Sequence, residues 1–429
     1  MISFIKNIIE IYFNRNVFLR NVSVLALGTI IGQFILLAIT PLLTRLFSPI
    51  DFGILALFTS IATILAILTT GRYEFAIALP KDDAEAKNIA KLIFLIGSCL
   101  SILFLLLIFF VRKIGIQTEG YQEFIQSSII FLIPVFTLFT AIYSALQYWV
   151  LREKKYKQLA TSGVYQICGA TLFNVFLGFS GIKYGMVYSL VIGQMIGISA
   201  LLATIKIDIF QKTNYENIKV VAKRYIEFPR YQILSDLCLT MSQQMTPILF
   251  SALFTTTEVG FFSLAYRMLK VPGIVLTSSI SSVFRNDAID VIRITGNCRD
   301  LYLSVLKKMV MLSIPIFTII ALFSPWLFSV FFGSEWIISG HYARIICIMM
   351  IIDFITIPLN SLFYVVQKQK NYMQIQVLNM LMGVLAIYCG YYWFNNAYHA
   401  MLFFAVSNGV FGLICLFKTY QLSKLKYKL

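Results

Sequence analysis

Leu46 to Leu57 reads LFSPIDFGILAL, and Leu253 to Leu264 reads LFTTTEVGFFSL. The Leu-Phe pair, the glycine (Gly53, Gly260) and the final leucine coincide, Ser48 meets Thr255, and Asp51 meets Glu258. Each copy follows a Thr-Pro pair, Thr40-Pro41 and Thr246-Pro247, with one residue of slip. The identities alone weigh little. Their placement weighs more, because each copy sits at the junction of the first and second apolar segments of its own half. The chain therefore reads as a duplicated membrane bundle.

Working outward from this repeat, 59% of the 429 residues are hydrophobic and 13% charged. Apolar runs of about 20 residues recur, each long enough to cross a hydrocarbon core of roughly 30 Å. Twelve spans are expected, near 22–43, 53–79, 90–111, 127–150, 160–180 and 185–205, then 231–253, 259–283, 308–331, 341–366, 373–394 and 397–417. In lipid every backbone amide must be satisfied within its own segment, so the spans are helices and the class is all-α. The expected organisation is an interfacial helix in 1–20, a six-helix bundle in 21–205, a linker in 206–230, a second six-helix bundle in 231–420 and a tail in 421–429. With six spans per half the repeats are parallel, which implies a central cavity between two bundles.

Orientation follows from lysine and arginine. With both ends in the cytoplasm, 28 of the 35 basic residues fall on the inner side, including six in 206–230, whereas only Arg45, Arg112, Lys113 and Lys183 fall outside. That asymmetry satisfies the positive-inside rule. The net charge of +16 is thereby explained as topology, spread over short loops, and no nucleic-acid partner is expected. The first apolar run lacks a small-residue cleavage site, which argues against a cleavable signal peptide. Residues 2–13 place Ile5, Ile8, Ile9 and Tyr12 on one face and Lys6, Asn7 and Glu10 on another, the pattern of an interfacial helix.

Seven cysteines without metal-ligand spacing read as packing residues, and His341 and His399 stand apart, so no metal site is expected. No GxxxxGK[ST] loop suggests direct ATP use. Outer loops are short, and nothing resembles a soluble catalytic domain.

Function then rests on polar residues inside spans. Ser263, Arg267, Lys270, Ile274, Thr277 and Ser281 recur at spacings of three and four, along one face of span 8. Lys270 lies about 12 residues, or about 18 Å, from the outer end, too deep to snorkel there. Such a group is a functional candidate, against the alternative of a buried ion pair with Asp353 of span 10. Arg267 is shallower, and snorkelling is its alternative. Span 7 aligns Asp236, Thr240, Gln243 and Pro247, with Gln244 beside them. Gln33, Gln166, Asn174, Gln194 and Asn360 add hydrogen-bonding groups that suit a hydroxyl-rich ligand or, singly, interhelical contacts.

PLLTRLFSPIDFGILALF (Pro41–Phe58) followed by GRYEFAIALPKDD (Gly71–Asp83) resembles the polysaccharide-biosynthesis family of oligosaccharide flippases, within the multidrug/oligosaccharidyl-lipid/polysaccharide exporter superfamily. The motif resemblance covers the first 95 residues; beyond them it rests on length, span count and duplication. It implies two V-shaped bundles in a bacterial cytoplasmic membrane that alternate around a cationic cavity. The cargo implied is an undecaprenyl-pyrophosphate-linked oligosaccharide, for O-antigen, capsule or exopolysaccharide, with a polysaccharide polymerase and a chain-length regulator as further partners. By position it places Arg45 at the outer end of span 1, and Arg72 with Glu74 toward the cytoplasmic end of span 2, facing the headgroup or marking the membrane boundary. Lys270 and Arg267 match the cationic cavity by role. No cofactor is expected beyond a proton or sodium gradient, for which Asp236, Glu74 and Asp353 are the acidic candidates and static ion pairs the alternative. Rival readings are a flippase for a peptidoglycan precursor of the lipid II type, whose relatives carry two further spans, and a cation-coupled drug exporter, which would favour an acidic cavity. A membrane-embedded glycan polymerase or acyltransferase lacks a paired catalytic site here.

Overall fold

The structure, a computed structural model, describes residues 17–114, 124–205 and 215–427. The interfacial helix expected in residues 2–13 and the start of the linker, 206–214, lie outside the described residues. Among the described residues all regular structure is helical. The first half carries α1 (Val17–Leu46), α2 (Pro49–Thr70), α3 (Asp83–Ile114), α4 (Leu132–Arg152), α5 (Tyr156–Phe179) and α6 (Gly185–Leu202). A short helix, α7 (Tyr215–Arg224), lies in the linker. The second half carries α8 (Ile233–Leu253), α9 (Thr256–Thr295), α10 (Arg299–Phe332), α11 (Ile337–Asn360), α12 (Gln369–Phe394) and α13 (Ala397–Lys424).

Ten described segments are long and apolar enough to cross a membrane. The polar stripe of span 7 lies on α8, a helix of 21 residues, and that of span 8 on α9, of 40 residues. A 40-residue helix is about 60 Å long at 1.5 Å per residue, so α9 runs well past a hydrocarbon core. It stops at Gly296, whose φ of 82° closes the helix as its N–H reaches Ile292 O.

The duplicated stretch acquires a physical meaning. In the first copy Ser48 precedes α2, and both its N–H and its hydroxyl donate to Asp51 Oδ2, at 3.0 and 2.8 Å. In the second copy Thr255 caps α9 and its Oγ1 accepts from Glu258 N. The matched hydroxyl and acid are two forms of one capping box. The matched glycines pack reciprocally: a Cβ on Gly53 would lie 1.9 Å from Thr256 O, and one on Gly260 would lie 1.8 Å from Pro49 O. Only glycine permits that backbone approach. Phe52 and Phe261 then meet the edge of the buried Trp336 ring, at centroid distances of 4.8 and 5.9 Å.

The chain packs as two units. One holds the described residues up to Leu46 and those from Phe58 to Thr240; the other holds Phe47–Leu57 and the described residues from Met241 onward. The close packing of the two repeat copies explains why Phe47–Leu57 is grouped with the second unit, while α7 and the start of α8 pack with the first. In the first unit Tyr73, Ala76 and Ile77 share a core with Ile89 and Ile93 of α3, Trp149 of α4, and Ile218 and Val221 of α7. In the second, Gly340 brings α11 against α10 so closely that a Cβ would lie 2.5 Å from Pro325 Cα.

Candidate functional site

Two groups of charged residues stand out, one in each unit. The first begins where α2 ends. Gly71 and Arg72 both have φ of 57°, after which Tyr73–Ala76 forms a 3-10 turn. Glycine accepts the left-handed region freely; for Arg72 it costs roughly 1–2 kcal/mol, so surrounding contacts must fix it. They do. Arg72 N–H donates to Thr70 Oγ1 (3.2 Å), which in turn donates to Glu74 Oε1 (3.2 Å). Arg72 Nη1 donates to the same carboxylate at 3.1 Å, and its guanidinium carbon lies 5.6 Å from the Phe75 ring centroid.

Asp236, at the start of α8, completes the group. Its Oδ2 is 2.8 Å from Arg72 Nε, and its Oδ1 accepts from Gln232 Nε2 at 3.1 Å. The Nε–Oδ2 approach is close but misaligned, so Nε lacks a well-directed hydrogen bond. Glu74 is 2% exposed, and its Oε2 is unpartnered among the described residues. Tyr148 of α4 lies within electrostatic reach of all three charges. Two carboxylates thus share one guanidinium.

The rest of GRYEFAIALPKDD anchors this turn. Tyr73 donates through its hydroxyl to Ala222 O of α7 at 3.0 Å, and burial pushes its phenol pKa up, which keeps the donor protonated. Arg152, at the end of α4, donates from Nη1 to Ile77 O (3.1 Å) and Pro80 O (2.5 Å) and from Nη2 to Lys81 O (3.2 Å), and pairs with Asp83 at 2.9 Å. Asp82 Oδ1 accepts from Ala84 N and caps α3. Arg224 and Tyr225 both reach Glu85 Oε1, at 2.8 and 3.2 Å. The linker helix is therefore docked on the turn, where the sequence suggested only a connection.

The second group lies in α9. Lys270 Nζ donates to Tyr266 OH at 2.7 Å. The tyrosine is held by stacking on Phe262, which stacks on the fully buried Phe250, with centroid spacings of 5.5 Å at each step. Asp353 of α11 is within electrostatic range of Lys270, but the two form no ion pair within 4.0 Å. The ion pair raised as the alternative for Lys270 is absent from this structure. Arg267 is half-buried and pairs with no carboxylate among the described residues. Ser263 Oγ returns to Gly260 O, and the buried Thr277 Oγ1 to Gly273 O.

The other sequence candidates are dispersed. Arg45 is exposed in the last turn of α1, Gln243 is exposed on α8, and Gln33, Thr240 and Gln244 are half-buried. Gln166 and Gln194 hydrogen-bond to each other across α5 and α6 at 2.5 Å, an interhelical contact. An unforeseen amide pair, Asn379 with Asn408 at 3.1 Å, joins α12 to α13 beside a cleft also lined by Ser242 and Thr246. An asparagine near the middle of each of the last two spans was its signal.

The duplicated all-α bundle has the fold of solved polytopic membrane proteins. An inward-facing multidrug resistance MATE family transporter of the MOP superfamily aligns over 92% of this chain and 96% of its own, at 15% identity and TM-score 0.68. The lipid II flippase MurJ, in an inward closed conformation, aligns over 92% and 87%, at 11% identity and TM-score 0.70. A MOP superfamily transporter from Pyrococcus furiosus aligns over 94% and 95%, at 15% identity and TM-score 0.54. No curated protein matches the chain by sequence. The chain belongs to the polysaccharide biosynthesis protein family, whose model matches residues 42–341.

Proposed function

We propose that the protein is a flippase that moves undecaprenyl-pyrophosphate-linked oligosaccharide from the inner to the outer leaflet of a bacterial cytoplasmic membrane, by alternating access and with both termini in the cytoplasm. Membership of the polysaccharide biosynthesis family carries this reading. The chemistry of α9 supports it. An ammonium and a guanidinium inside a membrane helix, with no carboxylate contact among the described residues to neutralise them, suit a diphosphate that must leave headgroup water. The headgroup enters near Arg72, meets Lys270 and Arg267, and leaves on the outer side while the prenyl tail stays in lipid. No covalent chemistry is required. An ion gradient supplies any drive, with Asp236, Glu74 and Asp353 as the acids through which protons or sodium couple.

The test is a strain lacking the gene, in which lipid-linked repeat units are quantified and their leaflet is read with a sugar-modifying reagent that does not cross membranes. Accumulation on the inner leaflet, reversed by restoring the gene, is the expected result. Accumulation of lipid II in place of repeat units would move the assignment to a peptidoglycan precursor. Normal delivery of both, with new sensitivity to cationic dyes, would contradict the flippase and point to a drug exporter.

A further inference from the structure

The Arg72 group has a geometry that its role as an anion contact does not explain. A guanidinium presents its most selective face along the Nε–Nη2 edge, where two parallel N–H groups meet two oxygens of a carboxylate or phosphate. Asp236 meets that edge through Nε alone, without good alignment. Glu74 takes the opposite nitrogen, Nη1. Asp236 also keeps a second partner, Gln232, which would hold it after loss of the arginine. Arg72 itself sits in a left-handed conformation unusual for a side chain of its size. An incompletely used fork, a displaceable carboxylate and a strained backbone meet at one residue.

From these observations, and resting on the flippase reading above, we infer that Asp236 is an internal stand-in for the substrate's phosphate, and that a diphosphate headgroup displaces it from Arg72, releasing the 71–74 turn from the base of α8. Glu74 stays on Nη1 and keeps the guanidinium aimed while the exchange takes place on the Nε–Nη2 edge. A diphosphate wins that edge because it supplies two oxygens in the geometry Asp236 fails to achieve. The turn's other ties, Tyr73 to Ala222 and Arg152 to the carbonyls of Ile77, Pro80 and Lys81, hold it against α7 and α4, so release is confined to α8. Arg72 is then a positioning residue as well as an anion contact, because its occupancy sets whether the first turn of α8 is tethered.

The experiment uses the full-length protein in nanodiscs, with inorganic pyrophosphate and undecaprenyl pyrophosphate as separate probes. Asp236→Asn, which keeps the shape and the Gln232 contact, is expected to bind inorganic pyrophosphate about tenfold more tightly than the unaltered protein. Arg72→Lys, which loses the fork, is expected to bind it at least about tenfold more weakly. In the unaltered protein, either probe should raise backbone hydrogen exchange in 228–238 while leaving α7 unchanged. An effect from both probes identifies the diphosphate alone as the releasing group. An effect from the lipid alone identifies the membrane-anchored headgroup, and both results support the exchange. Unchanged pyrophosphate affinity in Asp236→Asn, or unchanged exchange in 228–238 with both probes, would overturn it. Loss of oligosaccharide flipping with retained exchange would instead overturn the flippase reading and leave the displacement standing.

Discussion

Arg72 and Lys270 are both cations in or beside membrane helices, yet their surroundings differ in kind. Arg72 is claimed by two carboxylates, Glu74 and Asp236, and is 21% exposed. Among the described residues Lys270 has one neutral partner, Tyr266, and its nearby acid, Asp353, does not touch it. A cation with its countercharges in place is held structure, and an arriving anion must compete for it. A cation without them is costly to keep in a membrane and keeps its full attraction for an anion. The difference separates a residue that shapes a turn from one suited to carry a headgroup, a distinction that charge alone does not make.

The largest effect should come from Lys270→Ala. Surface polymer export should fall to background while the protein still accumulates in the membrane, read by immunoblot beside polysaccharide analysis. Next, Arg72→Gln should act through stability, because it strands the buried Glu74. Breaking such a pair costs about 3 kcal/mol, seen as a lower melting temperature in detergent, and Arg72→Gln combined with Glu74→Gln should recover most of it. Recovery of stability without recovery of export would sharpen the comparison by separating the two duties of Arg72. Smaller again, Asp353→Asn should leave accumulation unchanged, since no ion pair is lost, and lower export by about threefold through weakened ion coupling; unchanged export would remove Asp353 from the coupling acids. Smallest, Ser263→Ala should leave both export and accumulation within assay error, because its hydroxyl already returns to its own helix.

Much of this contrast was legible in the sequence, and its limits have physical causes. The repeat was visible because a capping box and a close glycine contact each require particular residue types at fixed spacing, which leaves identities behind. The stripe on α9 was visible through helical period. A stripe does not say whether a hydroxyl serves a ligand or its own backbone, and Ser263 and Thr277 turn back to carbonyls of their own helix. The Arg72–Asp236 contact brings together residues from opposite halves of the chain, and no local pattern records such a pairing. Arg152 was visible as one more positive charge on an inner loop. Its actual work is to bind three backbone carbonyls, and because every residue has a carbonyl, nothing in the partners' identities announces it.

The central claim is that Lys270, unneutralised in α9, carries the diphosphate of a lipid-linked oligosaccharide. Its most direct test places the purified protein in liposomes with fluorescent undecaprenyl-pyrophosphate-linked oligosaccharide and follows the loss of label accessible to an impermeant quencher. The account predicts transfer by the unaltered protein, none by Lys270→Ala and partial transfer by Lys270→Arg, which keeps the charge. Equal transfer by the unaltered protein and Lys270→Ala would contradict it.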